Sequence, residues 1–512
     1  MTKRTQFCVW FLLFSGCAFG QIGAPPVPAT GTQASQLPLS GRTGTSGSVV
    51  ATQQPVAGTT TSVNTINPSI QTQGPYAGSA LSTAKRPFSG KLSLREAVAR
   101  GLDYNLGTVG LTLATQQAHG QALVSRSALL PNLNGTLSET AEQIDLRAQG
   151  LRISSPFPGF GIPAVVGPFN YFDLRARLTQ TIADFTALNN YRSSKETVRA
   201  NELCGQDAKD LVVLAVGGAY LQVIAAQARV VSARAQLEAA NALYQQTAQQ
   251  RAVGLVAQID VNKNQVQALT QQQRLATLQN DLAKQKINLA RLTGLPPNEN
   301  YELTDDVPFS DAPPVAEEDA VKQALAARPD IKAAEAQIRA AERTVAAARA
   351  ERLPSLSLSA DYGVIGTNPS ESHGTFTVAG TLRVPIWQGG RTEGDIEQAN
   401  AALSQRRAEL EDTRSKVETD VRNAFLDLTA ATSQVEVARQ NLDVTRQTLD
   451  LTRQRFEAGV TDTVDVSQAQ ASVAAAELDY INSVFAHNVA KLSLARAAGG
   501  AAESLPRFLK LP

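Results

Sequence analysis

Two aspartates are the residues whose spacing first suggests chemistry. Asp260 lies six positions after Gly254, and Asp465 lies six positions after Gly459. A carboxylate in the first turn of a helix stabilises the positive end of the helix dipole. Several copies of one carboxylate around a narrow opening would instead attract cations. The spacing alone is compatible with both uses, and neither use is catalytic.

Residues typical of enzymes and metal sites are scattered along the chain. His119, His373 and His487 lie far apart in unlike contexts, with no carboxylate at ligand spacing. No glycine-rich phosphate-binding motif occurs. We therefore expect no catalytic residue, no metal site and no cofactor. The formal net charge of +1, from 47 basic and 46 acidic residues, gives no reason to expect nucleic acid as a partner.

The glycine and aspartate pairs belong to a longer internal repeat. Residues 219–294 align without a gap on residues 424–499, at a constant offset of 205 positions. Two earlier segments also match, and they stop at Pro131 and Pro354. The sequence therefore indicates a duplication, with the additional residues of the first copy in a predicted long loop at 154–168.

Each repeat predicts a helical hairpin, one over 190–294 and one over 392–499. In the second copy an apolar residue recurs every seventh position, which keeps one seam of a helix against a partner. The residues of this first row are Leu428, Val435, Leu442, Leu449 and Phe456. A second row lies about 200° round the helix. Its members are Ala430, Val437, Val444, Leu451 and Ala458. Two opposite rows predict a helix with neighbours on both sides.

Between the helices the apolar period falls to two residues, which predicts β-strands. The predicted strands are 132–146, 169–181, 355–365 and 374–386. Each has one apolar and one polar or charged face, and strands of about ten residues can cross an outer membrane. A soluble surface sheet would show the same alternation. Because the chain also has a secretory signal and, by our reading, no apolar helix of 18 residues, we predict a membrane barrel.

Four strands per chain are too few to close a barrel. Open strand edges cannot face lipid, so the chain must assemble with copies of itself. Two copies would give eight strands around a filled interior, and three would give twelve around a lumen. The long helices favour a continuous conduit, and we therefore predict a homotrimer.

The N-terminus predicts a secretory signal at residues 1–20, because Lys3 and Arg4 precede a short apolar run. We favour cleavage after Gly20. The alternative is a lipoprotein signal, in which Cys17 would carry lipid. Residues 21–88, rich in Pro, Gly, Ser, Thr and Gln, contain no acidic residue, and we predict a disordered arm. It would be a passive tether or would rest on the body or the cell wall.

Three motifs accompany the repeated units. These are Val253-Gly254-Leu255-Val256-Ala257 with Asp260, Arg455-Phe456-Glu457-Ala458-Gly459 with Asp465, and Val384-Pro385-Ile386-Trp387 with Gly389-Gly390-Arg391. With these motifs and repeats, residues 91–500 resemble the TolC family of outer-membrane efflux proteins. The resemblance implies an α+β membrane protein. Three chains would form a twelve-stranded barrel in the outer membrane of a Gram-negative-type bacterium, continued by a periplasmic barrel of coiled helices.

The family also implies a function and partners. A TolC-like protein is a passive exit duct of a tripartite efflux or type I secretion system. It opens when a periplasmic adaptor protein docks together with an inner-membrane efflux pump or ABC transporter. Two other hypotheses stay open, namely a periplasmic coiled-coil scaffold and a stand-alone porin.

Carried over residue by residue, the family implies a gate. Asp465 falls in the ring that narrows the entrance, and Gln468 occupies the second ring position. Asp260 matches one partner of the family's latch between helices. Phe456 and Thr461 stand where the family has Tyr and Arg, so most of that polar latch is missing.

The hairpin turns would form the surface that an adaptor contacts. The residues of this tip are Gly254, Leu255, Val256 and Gly459. The predicted organisation is thus a first repeat at 89–300, a linker at 301–318, a second repeat at 319–500 and a tail at 501–512.

Overall fold

The structure is a computed structural model that describes residues 48–55, 66–80, 88–150, 163–305, 307–310 and 316–502. Several predicted segments lie outside the described residues, namely the signal peptide with Cys17, parts of the arm, linker and tail, and residues 154–162 of the long loop. Strands and helices alternate in groups along the chain. They are β1 (Val49–Pro55), β2 (Ile66–Thr72), β3 (Lys91–Leu92), α1 (Leu94–Tyr104), α2 (Leu106–Ser127), β4 (Asn132–Asp145), β5 (Val165–Ala183), α3 (Phe185–Ala252), α4 (Gln258–Thr293), β6 (Glu302–Leu303), α5 (Glu317–Ala327), α6 (Pro329–Ala350), β7 (Ser355–Gly366), β8 (His373–Arg383), α7 (Arg391–Glu457) and α8 (Thr463–Ala497).

The chain divides into a sheet unit and a helical unit. The sheet unit contains residues 127–184 and 354–384, and the helical unit contains residues 185–353 and 385 onward together with the described residues between 48 and 126. Two strands from each half of the chain therefore come together in one unit.

The sheet unit is a four-stranded antiparallel sheet in the order β4-β5-β7-β8. Its register aligns apolar residues on one face. Leu178 pairs with Leu133 on one side and with Ala360 on the other, and Ala360 pairs with Val378. Because side chains alternate along a strand, the apolar positions of all four strands share that face. Within the described residues, β4 and β8 each have one strand neighbour.

The opposite face of the sheet is polar and carries a small ion-pair cluster. Arg175 on β5 lies 2.5 Å from Asp361 on β7 and 3.3 Å from Asp173 on its own strand. These contacts join a strand of the first half to a strand of the second half. The sheet therefore has one apolar and one charged face, as predicted.

Two strand boundaries differ from the prediction by three residues or more. β5 begins at Val165, so residues 165–168 of the predicted loop are strand, because they extend the ladder with β4. β8 ends at Arg383 rather than at residue 386. The physical reason is Pro385, which has no backbone N–H to offer to a ladder.

The helical unit contains both predicted hairpins, α3 with α4 and α7 with α8. Four members of the first apolar row of α7 are buried, namely Leu428, Val435, Leu442 and Leu449. In the second row Val437, Val444 and Leu451 are 50%, 60% and 59% exposed. Within one chain, only the first row has its predicted neighbour.

Each of the two helices predicted before the strands is broken into two pieces. The break between α1 and α2 falls at Asn105, whose side-chain oxygen accepts a hydrogen bond from the Gly107 N–H at 2.8 Å. The break between α5 and α6 falls at Arg328, since Pro329 disfavours helical geometry at the residue before it. These breaks divide the two helices that were predicted to be continuous over 94–127 and 320–352.

The predicted disorder of residues 21–88 is wrong for the described part. β1 and β2 form an antiparallel hairpin, and the 3₁₀ helix Gly74–Ala77 follows it. The reason is complementary shape in the helical unit. A Cβ on Gly218 of α3 would lie 1.7 Å from a terminal methyl carbon of Ile70, and one on Gly107 would lie 2.3 Å from the Tyr76 ring. Because these glycines have no side chain, they leave notches in the helix surface, and the side chains of Ile70 and Tyr76 in the arm occupy them.

Hydrogen bonds also hold the arm to the break between α1 and α2. The Asn105 side-chain amide donates to the Tyr76 carbonyl at 3.0 Å, and the Leu106 N–H donates to the Gly78 carbonyl at 3.0 Å. Apolar burial and main-chain pairing together offset the ordering entropy of this segment.

The core of the helical unit surrounds the middle of α3. Val212, Val213, Val216 and Tyr220 are fully buried there. The expectation that the chain has no apolar helix of 18 residues is also wrong, because α3 contains an 18-residue window of mean hydropathy 1.8. That window is 67% buried within the protein, which is typical of a core helix.

Candidate pore entrance

The two hairpin turns have the same local geometry. Gly254 has φ +82° and Gly459 has φ +69°, so a glycine in the left-handed conformation follows the first helix of each hairpin. The Leu255 N–H donates to the Gln250 carbonyl and the Val460 N–H donates to the Arg455 carbonyl, both at 2.9 Å. Both turns thus satisfy a carbonyl of the last helical turn in the same way.

The proposed tip is open to solvent in one chain. Leu255 is 74% exposed, Val256 is half-buried, and a Cβ on Gly254 or Gly459 would meet no atom within 4 Å. An apolar side chain that is exposed beside two open glycines can be approached closely by another backbone.

Side-chain hydrogen bonds cap the N-terminus of α8. Asp462 accepts hydrogen bonds from the N–H groups of Val464 at 2.9 Å and of Asp465 at 3.1 Å, so Asp462 is the N-cap. The Thr461 hydroxyl donates to the Asp465 carboxylate. Asp465 and Gln468 are both exposed, one turn apart on the same helix. This geometry fits a helix-stabilising aspartate and also a carboxylate at an opening.

The N-terminus of α4 has no side-chain cap, in contrast to the N-terminus of α8. Its N-cap position is Ala257, which has no side-chain hydrogen bond to give. Asp260 lies in the first turn, and its carboxylate is 3.7 Å from the Lys263 ammonium. Asp260 therefore has a local partner on its own helix.

The structure brings together only part of the predicted gate. Thr461 and Asp465 are in contact, and Phe456 is half-buried at the end of α7. In the part of the chain that the structure describes, no hydrogen bond or ion pair joins Asp260 to Phe456, Thr461, Asp465 or Gln468. Within one chain these residues do not form a latch between the hairpins.

Sequence reasoning missed a group of polar residues that does join the two hairpins. Arg229 on α3 donates two hydrogen bonds to the Asn482 side-chain oxygen on α8, at 3.1 and 2.6 Å. Ser232 donates to Glu477 at 2.6 Å. Burial lowers the pKa of Arg229, and the charge of Asp281 opposes that shift. The sequence feature that could have predicted these contacts is the single Arg within the mostly apolar segment from Ala225 to Val231.

The three histidines lie on separate elements of the structure. Among the described residues, no group of three or more His, Cys, Asp or Glu side chains is placed to hold a metal ion. His119, His373 and His487 lie on α2, β8 and α8, respectively.

Comparison with known proteins gives a consistent result. The sequence model of the outer membrane efflux protein family matches residues 111–295 and 320–500. The pyoverdine export outer membrane protein OpmQ of Pseudomonas aeruginosa is 25% identical over 291 residues, which are 56% of this chain and 59% of OpmQ. The outer membrane protein OprJ of the same organism is 27% identical over 347 residues, which are 63% of this chain and 67% of OprJ. The match to OpmQ thus spans less than two thirds of that relative.

Solved structures share the fold. The outer membrane channel CmeC of Campylobacter jejuni superposes with a TM-score of 0.68 at 18% identity, covering 81% of this chain and 89% of CmeC. A membrane protein from Pseudomonas aeruginosa gives a TM-score of 0.69 at 21% identity, covering 82% of this chain and all of the other. The resemblance to the TolC family and the predicted location are confirmed. Because the family model matches both halves of the chain, the protein belongs to the outer membrane efflux protein family and is located in the outer membrane.

Proposed function

We propose that three copies of this chain form a passive exit duct across the outer membrane. The observation that carries the proposal is the uncovered apolar face of the sheet. Leu133 is 71% exposed and Phe376 is 76% exposed, although both belong to the aligned apolar positions. A face of this kind needs lipid, whereas the charged face with Arg175 and Asp361 needs water.

The sheet edges support the trimer. β4 and β8 each offer an unpaired edge in the described part of the chain, and an unpaired edge in lipid leaves backbone groups unsatisfied. Pairing β8 of one copy with β4 of the next closes a ring. Three copies give twelve strands, which leave room for a lumen.

The helices would extend this lumen into the periplasm. β5 ends at Ala183 and α3 begins at Phe185, so the chain passes directly from strand to helix. The exposed row on α7 offers an apolar seam to a neighbouring copy. The matched turns at Gly254 and Gly459 support a duplication as the origin of the two hairpins.

The hairpin tips would form the gate and the docking surface. We place three copies of Asp465 around the entrance, with Gln468 one turn further along α8. A periplasmic adaptor would contact the tip at Gly254, Leu255, Val256 and Gly459, together with an inner-membrane pump or ABC transporter. Among the relatives, OpmQ is named for pyoverdine export and TtgF of Pseudomonas putida for toluene efflux. These names support small-molecule export as the activity here.

Extraction and genetics test the duct against its alternatives. A barrel trimer fractionates with outer membrane and resists SDS until heated, whereas a periplasmic scaffold is released without detergent. Deleting the partner pump abolishes export through a duct but leaves uptake through a porin unchanged. A monomer that is soluble without detergent would contradict the proposal.

Conductance tests the entrance. We expect low, cation-biased conductance of the wild type in a planar bilayer. Asp465→Ala should lower the cation-to-anion permeability ratio by about threefold or more, because three carboxylates leave one constriction. Asp462 still caps α8 in this variant. The control is Glu436→Gln, which removes an exposed charge on α7 and should change nothing. An unchanged ratio for Asp465→Ala would remove Asp465 from the entrance.

A further inference from the structure

Polar side chains of α3 and α8 join the two hairpins at two levels of the helical unit. The Asp207–Arg496 ion pair lies farther from the hairpin turns, and a second group of hydrogen bonds lies nearer to them. Arg229 and Ser232 lie one turn apart on α3, and their partners Asn482 and Glu477 lie on α8. Arg446 on α7 also donates to Glu477, at 3.0 Å. We refer to the two pairs Arg229–Asn482 and Ser232–Glu477 as the clasp.

The clasp lies well away from the tips. At 1.5 Å per residue, roughly 30 Å of α3 separates Ser232 from the end of the helix, and roughly 20 Å of α8 separates Glu477 from its start. On the other side of the clasp, towards the middle of α3, the contact between the hairpins becomes apolar. Val223 of α3 and Phe485 of α8 belong to the same buried cluster there. The clasp therefore divides a packed part of the hairpins from a part nearer the tips.

The surroundings make the clasp bonds sensitive to separation. Val230 and Ala233, which flank these positions on α3, are buried, and the side chains of Ser232 and Glu477 are partly buried. A hydrogen bond to a charged group in a partly dry contact contributes more than one on an open surface. If the hairpins move apart at this level, the Arg229 guanidinium and the Glu477 carboxylate lose these partners together.

We propose that the clasp holds the hairpin α7/α8 against α3 in the resting channel. The proposal rests on the proposed function as an exit duct. It assigns the holding role to α3 and α8 in a chain where Phe456 and Thr461 occupy two of the positions of the family's latch. Opening by a docked partner then requires the hydrogen bonds of the clasp to break.

Weakening variants give the main test. Arg229→Met/Ser232→Ala removes the donors on α3, and Glu477→Met/Asn482→Leu removes the acceptors on α8. Each lost hydrogen bond shifts a two-state equilibrium about fivefold. We therefore expect either double variant to raise the open fraction of the purified trimer in a planar bilayer by about tenfold or more. The control Arg234→Met removes an exposed Arg from the same helix and should leave the open fraction unchanged.

Non-additivity separates the clasp from general destabilisation. If the two sides act on each other, combining all four substitutions opens the channel no further than either pair alone. Additive effects, or an unchanged open fraction in a heat-resistant trimer, would overturn the clasp while leaving the duct intact. A wild type that gives no conductance at all would instead contradict the duct.

A strengthening variant keeps the test decisive if the weakened chains do not assemble. Asn482→Asp places a carboxylate against the Arg229 guanidinium, and a charged pair is stronger than the present bond to a neutral amide. With the pump and adaptor present, we expect about tenfold slower export at equal amounts of trimer. Export at the wild-type rate would contradict the clasp.

Discussion

Residues 219–226 of α3 and the aligned residues 424–431 of α7 occupy different surroundings. Tyr220 is fully buried, whereas its counterpart Phe425 is half-buried. Leu221 is 3% exposed, whereas its counterpart Leu426 is 68% exposed. Val223 and its counterpart Leu428 are both buried, so the repeat keeps one buried side of the helix and differs on the other side. The first hairpin is buried on both sides here, and the second leaves one side exposed.

The largest effect should come from charging the open side of α7. Leu451→Glu places a carboxylate in the apolar row that we assign to a neighbouring copy. In a trimer this removes three buried Leu side chains, each contributing about 2 kcal/mol, and buries three charges. We expect loss of the heat-resistant trimer on SDS gels. The aligned change in the first hairpin, Gln246→Glu, falls on an exposed residue and should leave the trimer intact. Equal behaviour of the two variants would contradict the comparison.

Truncating the aligned aromatic residues should lower the free energy of unfolding by different amounts in the two hairpins. Tyr220→Ala leaves a cavity in the core and removes the hydroxyl that donates to the Leu92 carbonyl at 3.0 Å, so we expect a loss of about 3–5 kcal/mol. Phe425→Ala affects a half-buried site and should cost about 1–2 kcal/mol. Urea denaturation in detergent measures both. A larger loss for Phe425→Ala would reverse the assignment of core and edge.

The two turns should respond alike, because their geometry is the same. An alanine at Gly254 or Gly459 must adopt positive φ, which costs about 1–2 kcal/mol. No atom lies within 4 Å of the added Cβ, so strain is the only cost in one chain. We expect equal increases in amide hydrogen exchange at the two helix ends. A marked difference between the variants would show that only one turn meets another chain.

The smallest effect concerns a buried acid of the second hairpin. Asp479 of α8 is 8% exposed and one of its oxygens has no hydrogen-bond partner, whereas the aligned residue of α4 is the half-buried Arg274. Burial raises the pKa of Asp479, so its stabilising contribution is present below the unfolded pKa and is lost as pH rises through the folded pKa.

Asp479→Asn removes that dependence. We expect the variant to gain about 1 kcal/mol over the wild type at neutral pH and to lose this advantage below about pH 4. The difference between the two melting curves across this pH range is the measurement. A difference that does not change with pH would assign the effect to packing rather than to charge.

Local patterns were sufficient for the two helical hairpins and for the four strands of the sheet. The seven-residue rows predicted two contact sides on α7, since periodicity depends only on neighbours along the chain, but they did not show that only the row with Leu428 and Leu442 is buried within one chain. The two-residue period predicted which strand faces align. Gly254 and Gly459 predicted their turns because only a few backbone geometries end a helix with glycine.

Contacts between distant segments could not be read in the same way. The arm was predicted to be disordered because its composition is poor in large apolar residues. Its order depends on notches at Gly107 and Gly218, which are visible only once the helices are packed. The clasp has the same origin, since Arg229 and Asn482 are 253 positions apart in sequence. Pro329, by contrast, was an available signal for the break at Arg328.

The docked arm also constrains the order in which the protein matures. β2, with Ile70, precedes both α3 and α8 in the chain, yet it packs against both, and α8 ends only at Ala497. Because a polypeptide is synthesised from its N-terminus, the arm is made long before this surface is complete. The arm therefore cannot dock until the second hairpin has been made, and until then its apolar side chains lack their partners.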